Sequence, residues 1–304
     1  MNFIRHFVLG IKSYWKAVSY IREHKLYWYL PIPAALMLII YYVGSEIASW
    51  QASWDPELGC LECSNMNETI WFMVKMLLSI SLGLVLMKFA KYIVVIVLSP
   101  LLSILSQSVE KKLTNNKYPF SLRQTLHDVR RGIRIALRNV MWEYIFFLII
   151  LIVSAFGWEE AHQSPVFYLT FVIGFFYYGF SFIDYINERR RLDIDQSIHF
   201  MRNHRGLAIA IGTIYSILIL VPVDLGEMTN FTGFLDHPFE TLGTVLLQLV
   251  LWFLASSAPI LAIVAATLSM HELVDLNTNK FSVKAAGNTD VDSDQYEGEE
   301  DLEN

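Results

Sequence analysis

Charged residues are scarce in this sequence. Lys, Arg, Asp and Glu together make up 17% of its 304 residues, whereas 54% of the residues are hydrophobic. The apolar runs are too long for the core of a soluble domain of this size. The composition therefore excludes an ordinary soluble protein and predicts an integral membrane protein.

Cysteine is scarcer still. The only two cysteines, Cys60 and Cys63, form a C-L-E-C motif in a polar stretch. In an oxidising compartment they would form a local disulfide, and elsewhere they would remain inert thiols. A redox motif would be expected beside a βαβ pattern, which the sequence does not have here. We therefore favour a structural disulfide or inert thiols over redox catalysis.

The sequence also lacks the short motifs that mark common catalytic sites. It contains no G-x-S-x-G, no P-loop and no H-E-x-x-H. Its eight histidines do not follow metal-ligand spacing, and His199 and His204 lie among bases, which favours a solvated face. We therefore expect no enzyme activity, no catalytic residue, no metal site, no cofactor and no nucleic-acid partner.

Six apolar segments separate the polar stretches. A helix needs roughly 20 residues to cross about 30 Å of hydrocarbon, so the first, second, fourth and sixth segments are long enough. The uncharged part of the third has 15 residues and the fifth has 18, so either is expected to enter the bilayer without necessarily crossing it. The predicted fold class is all-α: a polytopic membrane protein with six hydrophobic helical segments, some only partly spanning, and amphipathic surface helices. The segments are residues 26–50, 69–87, 144–158, 164–183, 206–223 and 241–270.

The basic residues lie on one side of these segments. Of the 23 Lys and Arg residues, 22 precede the first segment, follow the sixth, or lie between segments two and three or four and five. The opposite loops contain ten acids and no base. The positive-inside rule therefore predicts a multi-pass protein of the cell (inner) membrane with both termini in the cytoplasm.

The formal net charge of −6 comes from the C-terminus, where the last 18 residues hold eight acids and no base. We predict three regions on this basis: an amphipathic N-terminal surface helix at residues 1–25, a helical membrane domain at 26–275, and an acidic disordered cytoplasmic tail at 276–304.

A basic amphipathic stretch and a charged connector complete the pattern. In residues 120–139, Arg130, Arg134 and Arg138 recur every four residues, and such a stripe suits anionic lipid headgroups or an oxyanion. Residues 182–206, the charged shoulder, join the fourth and fifth segments and contain Asp184 and Arg189 as candidate structural charges. We predict that Asp184 has a partner among Arg130, Arg131 and Arg134.

Four stretches of the chain resemble the CysZ sulfate permeases, which belong to the wider etoposide-induced membrane protein family. The resemblance covers roughly residues 2–275 and is strongest from residue 99 onward. The motifs are SPLLSILSQSVEKKLT at 99–114, DVRR at 128–131, FIDY at 182–185 and PILAIVAAT at 259–267.

This resemblance implies an all-helical inner-membrane protein with two partly crossing hairpins, homo-oligomers and bidirectional passage of sulfate. Contact with membrane lipids is expected separately, from the amphipathic and basic stretches. In the family, a Gly-x-Arg stretch with a second arginine before the first span is associated with sulfate. The matching region here reads EHKL at 23–26, so only Lys25 keeps a base.

The leading hypothesis is therefore a CysZ-like membrane permease for sulfate or a related small oxyanion. Oxyanion passage requires positive potential and donors at the entrance. The anion-binding candidates at the cytoplasmic mouth are Arg22, Lys25, Arg130, Arg134 and Arg138. The alternative hypothesis is a non-transporting membrane scaffold or interaction protein that acts through its cytoplasmic surface and acidic tail.

Overall fold

Helices make up almost all of the described chain. The computed structural model describes residues 2–54, 67, 70–71, 73–74, 96–117, 122–158, 163–190, 192–229, 238–274, 276 and 283–284. Within them the α-helices are α1 Asn2–Glu23, α2 Pro31–Trp54, α3 Ser99–Thr114, α4 Leu122–Gly157, α5 Leu169–Arg189, α6 Ile194–Asn203, α7 Arg205–Ile219, α8 Leu225–Thr229 and α9 Pro238–Leu273.

Short elements connect or extend these helices. The 3-10 turns Leu26–Tyr29 and Pro165–Tyr168 precede α2 and α5. A two-residue antiparallel pair joins β1 Asn116–Lys117 to β2 Val283–Lys284. The architecture confirms the predicted all-α fold class.

Four helical stretches in the described part of the chain are long and apolar enough to cross a membrane: Leu26–Glu46, Arg130–Gly157, Pro165–Arg189 and Pro238–Leu273. They coincide with most of the first, third, fourth and sixth predicted segments. The fifth corresponds to α7, whose 15 residues span about 22 Å and fall short of the bilayer. Most of the second segment, residues 69–87, lies outside the described residues, as do Cys60, Cys63 and nearly all of the predicted tail.

The third segment is not a separate short helix. It continues the basic stretch, and together they form the 36-residue α4. No proline interrupts residues 122–157, so the backbone hydrogen bonds run on from the basic half into the apolar half. The sequence left open whether this segment crosses the bilayer. Its apolar residues extend a helix that already began on the polar side, and the resulting stretch Arg130–Gly157 is long enough to cross.

The charged shoulder is also more helical than a connector would be. Helix α5 runs six residues past the predicted end of the fourth segment and carries Asp184, Glu188 and Arg189 in its last turns. After a short break, α6 begins at a capping box in which Asp193 and Gln196 satisfy each other's backbone N–H groups.

Small residues bring α5 and α7 into close contact. A Cβ added to Gly212 would lie 1.7 Å from the Phe175 carbonyl oxygen, and one added to Gly179 would lie 1.9 Å from that of Ala208. Because glycine has no side chain, the two helices can cross with their backbones in direct contact.

Helix α1 packs against α7 and α9. Its inner face contains Tyr14 and Ala17, and the Tyr14 hydroxyl donates to the Ile211 carbonyl oxygen at 2.7 Å. Its outer face exposes Ile4 and Trp15. The helix is therefore fixed to the bundle on one side and presents an apolar surface on another.

Candidate functional site

Five ionisable side chains from three helices converge inside the helical bundle. Asp184, Glu188 and Arg189 come from the last turns of α5 and are at most 9% exposed. Glu110 from α3 is fully buried, and the Arg131 side chain from α4 is 12% exposed. We call this set the buried charge cluster: Glu110, Arg131, Asp184, Glu188 and Arg189.

Arg189 forms the first ion pair of the cluster. Its Nε donates to Glu110 Oε2 at 2.8 Å, and its Nη2 donates to Ser106 Oγ at 2.7 Å. Ser106 in turn shares a 2.8 Å hydrogen bond with Thr267 of α9. Several hydrogen bonds to these charged groups offset the free-energy cost of removing them from water. The ion pair and its hydrogen bonds also connect α3, α5 and α9.

Arg131 forms the second ion pair. Its guanidinium donates to Asp184 from Nη2 at 3.2 Å and from Nε at 3.4 Å, while Nη1 donates to the Leu192 carbonyl oxygen at 2.6 Å. Asp184 also accepts a 2.5 Å hydrogen bond from Ser197 of α6. Of the three arginines predicted as partners for Asp184, Arg131 is the one that forms the ion pair. Its Nε also lies 3.9 Å from Glu188 Oε1.

A further donor lies beside the cluster. Burial lowers the pKa of Arg190, and the charge of Glu110 acts in the opposite direction. Arg190 Nη1 is buried and has no hydrogen-bond partner among the described residues. Its guanidinium carbon lies 5.5 Å from the centre of the Phe200 ring, a cation–π contact. Arg190 therefore keeps donor capacity that the neighbouring ion pairs do not use.

The space beside the carboxylates is small. A cavity lined by Ser181, Asp184 and Glu188 has a volume of about 10 Å³. This is room for about one water molecule. In this conformation the ion pairs close the space between α4 and α5.

The sequence-predicted anion residues lie apart from this cluster. Arg22 and Lys25 are exposed at the end of α1, where Lys25 adopts a left-handed backbone conformation with φ of 55°. Arg130 and Arg134 are exposed on α4. Arg138 is half-buried and lines a separate cleft. The predicted structural charges Asp184 and Arg189, in contrast, both belong to the cluster.

Glu110 was not singled out in the sequence, where residues 99–114 served only as a motif of the family resemblance. A signal was present: Ser99, Ser103, Ser106 and Glu110 follow one another at spacings of four, three and four residues. Such spacing places them on one helix face, and all four are buried. A polar stripe on an otherwise apolar helix indicates a buried polar contact.

The comparison with known families agrees with the resemblance noted from the motifs. A family model described as sulfate transporter CysZ/etoposide-induced protein 2.4 matches residues 13–224. This range runs from the middle of α1 to beyond the end of α7 and includes all five residues of the buried charge cluster. No curated protein matches the chain.

Proposed function

Since the chain belongs to the family described as sulfate transporter CysZ/etoposide-induced protein 2.4, we propose that it is a membrane permease for sulfate or a related small oxyanion. The observation that carries the proposal is the buried charge cluster between candidate membrane helices. Ionisable residues are costly among membrane helices, so they are retained chiefly where they serve an ion path or another function.

The cluster has the chemistry to replace water around an oxyanion. Guanidinium groups donate several hydrogen bonds in a planar arrangement that matches sulfate oxygens. Arg131 and Arg189 are paired with carboxylates, and Arg190 contributes a further donor. An entering anion would compete with Asp184 and Glu110 for these donors.

Passage requires the cluster to open. The cavity of about 10 Å³ beside Asp184 and Glu188 is too small for a sulfate ion. Arg131 reaches α5 from α4, and Arg189 reaches α3 from α5, so separation of these helices would break the ion pairs. We infer that the ion pairs act as a gate that an oxyanion opens by exchange of partners.

The proposed orientation places both termini and the charged shoulder in the cytoplasm of the inner membrane. The distribution of bases supports it, because the loops on the opposite side carry none. The buried charge cluster would then lie at the cytoplasmic ends of the membrane helices.

Labelled-sulfate uptake into proteoliposomes tests this function. The paired change Glu110→Gln/Arg189→Gln removes one acid and one base together, so neither member of this ion pair is left buried without the other, and the protein is expected to fold while uptake falls about tenfold or more. The matched control is Lys16→Gln/Glu272→Gln, which removes an exposed ion pair between α1 and α9 and should leave uptake unchanged.

Two results would contradict the proposal. Uptake no greater than that of empty vesicles, in either direction, would remove the permease function. Normal uptake by the Glu110/Arg189 variant would place the anion path away from the cluster.

A further inference from the structure

A second basic site lies outside the buried charge cluster, in a cleft of about 160 Å³ between α4, α5 and α6. Arg138 reaches it from α4 and Arg202 from the last turn of α6. None of its lining residues belongs to the cluster, and none is acidic. The cleft therefore concentrates positive charge that the proposed gate does not use.

The two guanidinium groups act on the same small volume. Both are close enough to influence the Tyr177 hydroxyl electrostatically. Arg138 Nη1 is buried and has no hydrogen-bond partner within the described part of the chain. The nearest acid that also acts on Tyr177 is Glu143, which lies more than one helical turn beyond Arg138 on α4 and outside the lining. An anion is therefore favoured beside Arg138 and Arg202 and disfavoured farther along α4, toward Glu143.

The walls of the cleft are aromatic. Trp142 and Phe146 from α4 face Phe176 across the cleft, and they are 39% and 38% exposed. The outer surface of α4 continues with the exposed apolar residues Ile145 and Ile149. A hydrated inorganic anion would gain nothing from these walls, whereas a hydrocarbon chain would bury apolar surface against them.

The position of the cleft also suits a lipid. It extends from the basic part of the candidate membrane span Arg130–Gly157 to the middle of that span and of Pro165–Arg189, and the amphipathic α6 closes it on the polar side. Basic residues beside aromatic side chains at this level are typical of contacts with lipid headgroups.

We propose that this cleft binds an anionic phospholipid, with the phosphate between Arg138 and Arg202 and an acyl chain along Trp142, Phe146 and Phe176. Lipid binding here is independent of transport: it would fix α6 against α4 and α5.

Fluorescence quenching of Trp142 tests the proposal. The full chain in detergent is titrated with phosphatidylglycerol that carries dibrominated acyl chains, and the Trp142 signal is the difference between wild type and Trp142→Phe. We expect quenching by this lipid at about tenfold lower concentration than by dibrominated phosphatidylcholine. Arg138→Gln/Arg202→Gln should remove that difference, and Arg130→Gln/Arg134→Gln, which removes two exposed bases from the same helix, should keep it.

Several outcomes would overturn the proposal. These are equal affinity for the two lipids in the wild type, or an unchanged preference in the Arg138/Arg202 variant. Displacement of the lipid by sodium sulfate but not by sodium chloride at equal ionic strength would assign the cleft to a free oxyanion instead. If the double glutamine variant fails to fold, Arg138→Lys/Arg202→Lys keeps both charges and should retain the preference, and its loss in that folded variant would contradict electrostatic recognition of the headgroup.

Discussion

One arginine holds the junction of α4, α5 and α6, and its sequence neighbour does not. Arg131 is bonded to Asp184 and to the Leu192 carbonyl oxygen, and its side chain is 12% exposed. Arg130 points away from the same junction and is exposed. The difference arises because consecutive helical residues are rotated by about 100° around the axis. The pair of arginines thus provides a natural comparison of a buried and a solvated charge.

At this residue scale, Arg131→Gln should destabilise the protein, because it leaves the Asp184 and Glu188 carboxylates buried without their cation. Removing one partner of a buried pair costs about 3–5 kcal/mol. Thermal unfolding of the purified protein in detergent measures the effect, and Arg130→Gln is the control that should unfold at the wild-type temperature.

The double variant Arg131→Gln/Asp184→Asn should recover part of that loss, since Asp184 no longer carries a buried charge, and only Glu188 then lacks Arg131. A double variant that loses the sum of both single losses would show that the two side chains are not coupled.

At the scale of elements, α5 and α7 meet backbone to backbone. The contact depends on Gly179 and Gly212, because any side chain at either position would overlap a carbonyl oxygen of the other helix. Backbone atoms of a packed helix cannot give way as a flexible side chain would. The short α7 therefore owes its place in the bundle to this crossing as well as to its apolar side chains.

Gly212→Ala should lower the unfolding temperature, since the added Cβ would lie 1.7 Å from the Phe175 carbonyl oxygen. Overpacking of this kind costs about 1–3 kcal/mol. Gly243→Ala on α9 is the matched control, because nothing lies within 4 Å of the added carbon. Differential scanning fluorimetry compares the two, and equal unfolding temperatures would mean that the crossing relaxes without loss.

At the scale of the whole molecule, the acidic tail and the helical bundle are separate in composition. All of the acid excess lies after residue 286, and the last described residues before it, Val283 and Lys284, pair with Asn116 and Lys117. A truncation after Lys284 therefore removes the acids and keeps the strand pair. This variant distinguishes a permease from a scaffold that recruits partners through its tail.

We expect the chain truncated after Lys284 to keep its sulfate uptake in proteoliposomes and its unfolding temperature, because the proposed gate lies within the helices. A scaffold that acts through the tail would instead lose its bound proteins in a pull-down. If the truncated chain loses uptake but keeps its unfolding temperature, the claim that the helical domain transports sulfate without the tail is contradicted.

The sequence by itself determined the fold class, the membrane location and the family. Apolar runs and helical periodicity are local properties, so they were readable without knowledge of contacts. Local reading also restricted the partner of Asp184 to three neighbouring arginines. The local pattern did not predict where α4 begins or where α5 ends. Both helices continue through charged residues, which an isolated helix could not place in lipid.

Only the tertiary structure decided which charges come together. Glu110 and Arg189 are 79 residues apart in the chain, and Arg131 and Asp184 are 53 apart. Arg138 and Arg202 line one cleft although 64 positions separate them. The buried charges of α5 are tolerated because α3 and α4 supply opposite charges across the helix contacts. Whether a charged residue is solvated or buried thus depends on the packing of distant segments, which no local pattern specifies.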